Sequence, residues 1–229
     1  MLHDKQFQVN ESNNTSRSYK IENGFQQGTV NSPILFSIYI SDLLQMYDLN
    51  SDGKKAVIAF ADDMVIYIKN NKPSVIKTEL QQLFNKIQEY FHTWRLKINI
   101  KRCETILFRP YISRISNTNS DIKKFAIHDH KNPTNEVPQK KVVCYLGVYL
   151  DFKLNYNEHV KLQIDKAQKA FIANKRIFYS KDLDKEVKLL CYKLLFRPIL
   201  IYGCPIWFNI SASTTEKIRL FERKYPKPV

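Results

Sequence analysis

A pair of adjacent carboxylates between two apolar runs constrains the fold more than any other feature of the sequence. Residues 56–68 read Ala-Val-Ile-Ala-Phe-Ala-Asp-Asp-Met-Val-Ile-Tyr-Ile, and both flanks of Asp62 and Asp63 are rich in residues that favour β-strands. This pattern predicts a β-hairpin with the two acids at its tip. Adjacent like charges repel unless a cation compensates, so the tip is either a divalent-metal site or a plain polar turn.

The net charge indicates what kind of partner the chain binds. It contains 36 Lys and Arg residues against 22 Asp and Glu residues, a formal charge of +14 that favours nucleic acid or an anionic membrane. Residues 1–60 hold 5 of the basic and 6 of the acidic residues, which leaves 31 − 16 = +15 for residues 61–229. We therefore expect the partner-facing surface downstream of residue 60.

An apolar stretch at residues 189–210 is long enough to raise the question of a membrane span. It holds Lys193 and Arg197 near its middle, together with two prolines, and central charges are costly in hydrocarbon. We therefore predict a kinked core helix and no membrane contact.

The cysteines and histidines indicate neither disulfides nor a cluster of metal ligands. The four cysteines show no CxxC spacing and no signal sequence precedes them, which predicts reduced thiols in an intracellular protein, nuclear or cytoplasmic. The triplet His128-Asp129-His130 has no cysteine partners, and we interpret it as a solvated turn rather than a metal site.

Hydrophobic periodicity places the elements around the hairpin. Ser32 and Pro33 suit the start of a helix, and residues 34–46 are apolar on nearly every side, which predicts a helix buried in a core. A second helix with one apolar face follows Pro73, with Ser74 as its cap. Strands are predicted at 96–100, 105–108 and 140–151, with a poorly packed polar insertion at 112–138.

From Glu158 onward the pattern is helical. Two apolar stripes predict packed faces, and Ser213 with Glu216 forms a capping box for the last helix. The first stripe contains Val160, Ile164, Ala167, Phe171, Asn174 and Phe178, and the second contains Leu183, Val187, Leu190 and Leu194. The predicted fold class is therefore α+β, with a mixed half followed by a helical, basic half.

Five blocks of residues occur in order along most of the chain. They are Gly24-Phe25-Gln26-Gln27-Gly28 with residues 32–43, Phe60-Ala61-Asp62-Asp63, residues 94–101, residues 145–151 with His159, and residues 197–207. Together these blocks resemble the reverse transcriptase domain of non-LTR retrotransposons, the jockey-like elements in particular. Phe25 and Gln26 depart from the family pattern, which has valine and proline at these positions.

The resemblance implies a right-hand polymerase architecture within the α+β class. A palm with an antiparallel sheet and packed helices would span residues 1–156, with a primer-grip hairpin near 142–151 and the fingers largely missing, and a helical thumb would span 157–229. The implied activity is DNA synthesis on an RNA template by two-metal nucleotidyl transfer during retrotransposition. The implied cofactor is Mg²⁺ (or Mn²⁺), and the implied partners are the RNA template, the DNA primer and deoxynucleoside triphosphates.

The resemblance also assigns roles to individual residues. Asp62 and Asp63 would hold the metal, and Lys101 would protonate the leaving pyrophosphate, although a lysine also suits a plain phosphate contact. The residues implied to line the nucleotide and template pocket are Gln27, Gly28, Ser32, Phe60 and Ala61. The residues implied to hold the primer are Tyr145, Leu146 and Gly147, for which a core strand with a tight turn is the alternative. The cations implied to contact the duplex are Lys161, Lys166, Lys169, Lys175 and Arg176, for which a solvated helix face is the alternative.

One block of the family pattern is not found in these 229 residues. The family takes its first catalytic carboxylate from a strand reading x-D-x-x-x-A-F-D, several dozen residues before the position of Gln27. We therefore expect an N-terminally truncated domain that is inactive as a polymerase on its own, with the missing part supplied by the same polyprotein. The alternative is a catalytically inactive protein that binds RNA or RNA–DNA duplex.

Overall fold

The computed structural model describes residues 6–11, 14–20, 28, 30–47, 53–108 and 125–224. The chain forms two compact units, residues 1–94 and residues 95–229. Within the described ranges, the β-strands pair as five two-stranded antiparallel sheets, which accompany the helices of both units. This mixture confirms the predicted α+β class.

The first unit starts with a narrow β-ribbon. Strands β1 and β4 pair with each other, as do β2 and β3. The strands are β1 (Gln6–Phe7), β2 (Asn10–Glu11), β3 (Asn14–Thr15) and β4 (Tyr19–Lys20). The Phe7 and Tyr19 rings stack with centroids 5.4 Å apart, and the Arg17 guanidinium lies 5.1 Å from the Tyr19 centroid. This cross-strand stacking stabilises a ribbon whose ladder is short.

Helix α1 (Ser32–Tyr47) forms where the sequence predicts it, but it is not buried on all sides. Ile40 and Leu43 are buried, whereas Ile38 is 63% exposed. The expectation of a helix surrounded by core is therefore wrong. One side of α1 packs on strand β5 (Lys55–Phe60), and an apolar composition does not by itself supply a partner for the other side.

Strands β5 and β6 (Asp63–Ile68) form the predicted hairpin. The ladder pairs all six residues of each strand, and its last pair is Phe60 opposite Asp63. Ala61 and Asp62 therefore make a two-residue turn. The two acids lie at the tip of the hairpin, as the sequence predicts.

Helix α2 (Pro73–Thr93) packs on β6 through one apolar face, from which Phe84 is buried. The helix starts at the proline itself, and Lys72 precedes it as the cap residue without a side-chain hydrogen bond. The prediction of a Ser74 cap is therefore wrong. Proline has no N–H to satisfy and a backbone angle already suited to the helix, so it occupies the first helical position.

The second unit begins with irregular chain, and the two strands predicted before residue 109 are wrong. The chain instead forms a 3₁₀ turn at Ile100–Arg102 and an isolated parallel bridge between Thr105 and Gln139. The Thr105 amide donates to the Pro138 carbonyl at 3.0 Å. Extending this parallel ladder toward residue 103 would need the N–H of residue 138, and a proline has none, so pairing cannot continue on that side.

The polar insertion predicted at 112–138 contains a packed hairpin. It consists of strands β7 (Ile127–His128) and β8 (Glu136–Val137), while the part before residue 125 lies outside the described residues. Its buried side chains, each at most 3% exposed, are Phe125, Ile127 and Val137. The expectation of poor packing is therefore wrong for this part, because alternate residues of even two short strands can point into a core.

A further hairpin and a series of helices complete the second unit. The hairpin is formed by β9 (Val142–Tyr145) and β10 (Val148–Asp151), as predicted for 140–151. The described helices are α3 (Asn157–Ala173), α4 (Lys175–Tyr179), α5 (Lys185–Cys191), α6 (Arg197–Leu200), α7 (Cys204–Trp207) and α8 (Ala212–Lys224), with a π-helical turn at Tyr192–Phe196 between α5 and α6. All four cysteines are free thiols, as predicted.

An aromatic cluster forms a core of the second unit. Phe171, Phe178, Tyr192 and Phe196 are buried together. The Phe171 and Phe178 rings stack at 4.7 Å, and the Phe178 and Phe196 rings meet edge to face at 5.2 Å. Both arrangements suit the quadrupoles of the rings. The first predicted stripe supplies the first two members of the cluster, and it is confirmed except at Asn174, which is exposed.

The second predicted stripe is wrong. Leu190 is 54% and Leu194 66% exposed, whereas the residues that point inward recur every four positions. The buried residues of this stretch are Lys188, Tyr192, Phe196 and Leu200. The rings of Tyr192 and Phe196 remove more apolar surface from water than the leucines of this stretch would. The helix therefore turns the face that carries these two rings inward.

The stretch at 189–210 is largely helical but is not one helix: a π-helical turn at Tyr192–Phe196 separates α5 from α6, and residues 201–203 separate α6 from α7. The predicted core location holds for Phe196 and Leu200, which are buried, and is wrong for Leu194, which is 66% exposed. Among the described helices, none is long and apolar enough to cross a membrane.

The last helix has a different cap from the one predicted. Helix α8 begins at Ala212, and the Ser211 hydroxyl accepts a hydrogen bond from the Thr214 amide at 3.3 Å. The capping box predicted from Ser213 and Glu216 is therefore wrong, because a serine two residues earlier already serves the free amides of the first turn.

Replacing Phe178 with alanine tests the aromatic cluster. Phe178 is fully buried, so Phe178→Ala should lower the free energy of unfolding by about 3–5 kcal/mol, the usual cost of an aromatic-sized cavity. Urea unfolding followed by circular dichroism measures the change. Tyr179→Ala is the matched control, since Tyr179 is 68% exposed and its loss should cost under about 0.5 kcal/mol. Equal losses in the two variants would contradict the assignment of the core.

Candidate functional site

The turn between β5 and β6 presents two carboxylates to solvent. Ala61 takes a left-handed backbone angle, with φ of 52°, in the two-residue turn. Asp62 is the other residue of the turn and lies beyond the last ladder pair. Asp62 and Asp63 are both exposed, and next to them Phe60 is 64% exposed. Among the described residues, no basic side chain forms an ion pair with either carboxylate. None of the described basic side chains therefore compensates the repulsion between them, and water or a bound cation can do so.

The donor chemistry at this tip suits a hard divalent cation. Carboxylate oxygens are the ligands that Mg²⁺ prefers, and it is commonly held by one or two carboxylates together with phosphate oxygens and water. In the part of the chain that the structure describes, no group of three or more His, Cys, Asp or Glu side chains is placed to enclose a metal ion. Asp62 and Asp63 thus fit an ion that is shared with a phosphate-bearing ligand better than an ion caged by protein alone.

The other residues predicted for this site in the first unit lie before and within α1. Gly28 has a φ of +82°, and a Cβ added there would meet nothing within 4 Å, so glycine is needed for the backbone conformation rather than for space. Ser32 is the first residue of α1 and is half-buried. Gln27 lies outside the described residues.

The remaining candidate residues belong to the second unit. Lys101 is exposed in the 3₁₀ turn. Leu146 and Gly147 form the two-residue turn of the β9–β10 hairpin, and Tyr145 is the half-buried residue before it. Both turn residues are left-handed, with φ of 47° at Leu146 and 80° at Gly147. The Leu146 side chain is 38% exposed, so the turn combines a strained backbone with an accessible outer edge.

The five predicted duplex contacts lie on the outer side of α3 and on α4, and all are exposed. On α3, at 100° per residue, Lys161, Lys166 and Lys169 spread over about 140° of the helix surface. Asp165 is exposed among them. The Lys166 ammonium lies 5.7 Å from the centroid of the Tyr149 ring on β10, a cation–π distance. The outer side of α3 is thus basic without being uniformly so.

The contacts that His159 makes beside the β9–β10 hairpin were not foreseen from the sequence. His159 is fully buried in the first turn of α3. Its Nδ1 accepts from the Tyr149 amide at 3.3 Å, so its Nε2 carries the proton and donates to the Tyr202 carbonyl at 3.2 Å. The Trp207 indole donates to that same carbonyl at 2.8 Å. The only sequence signal that points to these residues is their occurrence in the blocks of the family pattern. Hydrophobic periodicity does not link His159 with Tyr202, which lies 43 positions further along the chain.

The buried imidazole is held in its neutral form. Burial lowers the pKa of His159 below its ordinary value; the hydrogen bond to the Tyr202 carbonyl opposes this shift, and the nearby Lys166 charge adds to it. A second proton would also sit on Nδ1, where it would face the Tyr149 N–H instead of accepting from it. The hairpin and α3 are therefore joined through a group that must stay uncharged.

Comparisons with known proteins confirm the family resemblance. The family model described as "Reverse transcriptase (RNA-dependent DNA polymerase)" matches residues 2–150. A probable RNA-directed DNA polymerase from transposon X-element of Drosophila melanogaster is 25% identical over an alignment of 228 positions, which covers 97% of this chain and 23% of that protein. The RNA-directed DNA polymerases from mobile element jockey are each 24% identical, over 97% of the chain in Drosophila melanogaster and 89% in Drosophila funebris. The chain spans about a quarter of the length of these relatives.

A pH titration of stability tests the state of His159. Because its pKa is lower in the folded than in the unfolded chain, its contribution to stability is complete above about pH 6.5 and is lost as the pH falls through the folded pKa. Urea midpoints of the wild type should therefore fall between pH 7.5 and pH 5. His159→Gln should cost on the order of 1–2 kcal/mol at pH 7.5 and show a smaller fall. Parallel pH dependences of the two proteins would contradict a buried neutral imidazole.

Proposed function

Because the chain belongs to the reverse transcriptase family, whose model matches residues 2–150, we propose that it serves in DNA synthesis on an RNA template during retrotransposition. The observation that carries the proposal is the pair of exposed carboxylates at the β5–β6 tip, without a basic partner among the described residues. In this proposal residues 1–156 belong to a right-hand polymerase palm, and residues 157–229 form a helical thumb. The relatives named as polymerases of mobile elements support the substrate class.

The β5–β6 tip is the proposed metal-binding part of the catalytic centre. Asp62 and Asp63 hold Mg²⁺ or Mn²⁺ through their carboxylate oxygens. When bound, the metal supplies Lewis-acid chemistry, which neutralises the triphosphate and makes the primer 3′-hydroxyl a better nucleophile. The protein's own contribution at the tip is to keep two unpaired acids accessible on a rigid hairpin, where a triphosphate brings the remaining oxygen ligands.

Other residues of the chain have proposed binding roles. Gln27 and Gly28 line the pocket for the nucleotide and template, and the glycine lets the backbone approach the ligand closely. Ser32, Phe60 and Ala61 shape the same pocket. Lys101 donates a proton to the leaving pyrophosphate, with a plain phosphate contact as the alternative role.

The second unit supplies the proposed contacts to primer and duplex. Tyr145, Leu146 and Gly147 hold the primer strand at the β9–β10 turn. The exposed cations of α3 and α4 contact duplex phosphates, because an A-form-like duplex has a deep groove that side chains do not read. The supporting observation is that all five cations are exposed.

A binding function is the alternative for the 229 residues by themselves. Two-metal transfer takes carboxylates from two strands, and the tip provides the acids of one. If the chain does not catalyse DNA synthesis, it would act as a protein that binds RNA or RNA–DNA duplex. The net charge of +15 in residues 61–229 favours such binding. Metal binding and duplex binding are therefore the direct tests, and primer extension separates the two functions.

Removing one carboxylate tests the metal site. With an RNA–DNA primer–template and a deoxynucleoside triphosphate present, Mn²⁺ binding can be followed by electron paramagnetic resonance. Asp62→Asn should raise the apparent Kd about a hundredfold, since losing a unit charge about 3 Å from an exposed divalent ion costs roughly 2.8 kcal/mol in water. Asp165→Asn, which removes an exposed acid from α3, is the control and should leave the Kd unchanged. Equal affinity in Asp62→Asn and wild type would exclude the tip as a metal site.

Primer extension on poly-rA with oligo-dT and Mg²⁺ then decides between the catalytic and the binding function. We expect the 229-residue chain to bind this substrate without extending it. Robust synthesis that Asp62→Ala abolishes would show that the chain alone is a polymerase. Synthesis that survives Asp62→Ala would contradict the proposed role of this residue.

Neutralising lysines of α3 tests the duplex contacts. The triple variant Lys161→Gln, Lys166→Gln and Lys169→Gln should weaken RNA–DNA duplex binding and reduce the slope of log K against log salt by about 2–3, since each lost phosphate contact lowers it by nearly one. Fluorescence anisotropy between 50 and about 300 mM salt measures it. The matched control neutralises three exposed lysines of the first unit, Lys69, Lys72 and Lys86. Equal slopes in the two triple variants would contradict a specific role for α3.

A further inference from the structure

The Leu146–Gly147 turn is held by a residue that is distant in the sequence. The Tyr202 hydroxyl donates a hydrogen bond of 2.8 Å to the Leu146 carbonyl. The Tyr202 ring lies so close to Gly147 that a Cβ added there would stand 2.9 Å from Cε1 of the tyrosine. Two independent reasons therefore require glycine at position 147: its left-handed backbone conformation and the lack of space for a Cβ beside the Tyr202 ring. The turn has no room to shift toward Tyr202.

The backbone that carries Tyr202 is fixed as well. Its carbonyl accepts from His159 at 3.2 Å and from Trp207 at 2.8 Å. The next residue, Gly203, has a φ of +70°, and a Cβ there would lie 2.8 Å from Cγ2 of Val148. The tyrosine thus extends from a backbone segment packed directly on the first residue of β10. Its aromatic ring has two rotatable bonds, so little entropy opposes this position.

These contacts work against the intrinsic preference of the turn. Leu146 has a φ of 47°, a conformation that costs an L-residue of this kind roughly 1–2 kcal/mol. Such strain persists only where surrounding structure over-determines it. In this hairpin the surrounding structure is the Tyr202 hydroxyl on one residue of the turn and the Tyr202 ring on the other.

We propose that Tyr202 is the positioning residue of the primer-binding turn: its hydroxyl and ring fix the Leu146–Gly147 backbone in the orientation that meets the primer 3′ end. The assignment rests on the proposed function, since it takes the turn to be the primer contact. Tyr202 need not touch the primer itself, and it acts through the Leu146 carbonyl. The role differs from that of His159, which holds the backbone of Tyr202 rather than the turn.

The variant Tyr202→Phe isolates the hydroxyl. It keeps the ring against Gly147 and the carbonyl that His159 and Trp207 bind, and the side chain is 49% exposed, so the second unit has no cause to unfold. Tyr179→Phe, the same substitution at a site 68% exposed, is the matched control. The chain contains only 5 glycines, so selective ¹⁵N-glycine labelling gives a simple spectrum in which the Gly147 peak reports on the turn.

The functional readout is a cross-link from the primer end. An RNA template carries a DNA primer with 4-thiothymidine at its 3′ terminus, and irradiation is done at protein concentrations that saturate the duplex for every variant. Trypsin releases residues 142–153 as one peptide, which contains the whole turn. In Tyr202→Phe the Gly147 peak should move, and the cross-link to this peptide should fall about fivefold, the equilibrium factor of one neutral hydrogen bond. Tyr179→Phe should change neither.

The outcomes separate the assignment from the proposed function. An unmoved Gly147 peak in Tyr202→Phe, or an undiminished cross-link despite a moved peak, would overturn the role of Tyr202. Loss of the other glycine peaks would overturn it too, because the hydroxyl would then stabilise the whole unit. A wild type that binds the duplex without cross-linking to residues 142–153 would instead refute the primer contact itself, and with it the premise of the assignment.

Discussion

A two-residue hairpin turn fixes which side chains stand at the end of a hairpin, and both candidate sites of this chain depend on that constraint. At the first hairpin the last ladder pair is Phe60 opposite Asp63, so the only residues beyond it are Ala61 and Asp62. At the second, Tyr145 pairs with Val148, and Leu146 and Gly147 remain. In each turn a non-glycine residue adopts left-handed backbone. The side chains proposed to meet metal and primer are therefore set by register rather than by flexible loops.

The two turns obtain their stability from different sources. The β5–β6 ladder has six pairs, and both strands pack under helices, so the strain at Ala61 is opposed by a long local ladder. The β9–β10 ladder has four pairs and depends on contacts with distant residues, namely Tyr202 at the turn and His159 at Tyr149. The first turn is stabilised by pairing between residues that are close in sequence. The second turn depends in addition on contacts with Tyr202 and His159, so its conformation is coupled to the packing of the segments that carry these residues.

How much could be predicted from the sequence follows from this difference. Alternating apolar residues on both sides of Asp62 and Asp63 predict the first hairpin because all of its determinants are neighbours in sequence. The burial of α1 could not be predicted the same way, since composition shows that a helix is apolar and not which sides find a partner. Likewise, Tyr202 and Leu146 are 56 positions apart, and no periodicity connects them. The carboxylates and the turn were thus predictable as motifs, whereas the contacts that hold the second turn were not.

Helix α3 links the two roles proposed for the second unit. Its first turn carries His159, which is joined to β10 and to Tyr202, and its outer side carries the three lysines proposed to contact the duplex. A helix is stiff over this length, so the distance between the turn and the lysines depends on how α3 is attached to β10, to which the His159–Tyr149 hydrogen bond and the cation–π contact between Lys166 and Tyr149 contribute. Protonating His159 would remove the acceptor for the Tyr149 amide and so weaken this attachment. The side chain that connects α3 to β10 is a buried, uncharged imidazole, so no charge has to be desolvated there. The charged lysines lie on the outer side of α3, where water or a polyanion can compensate them.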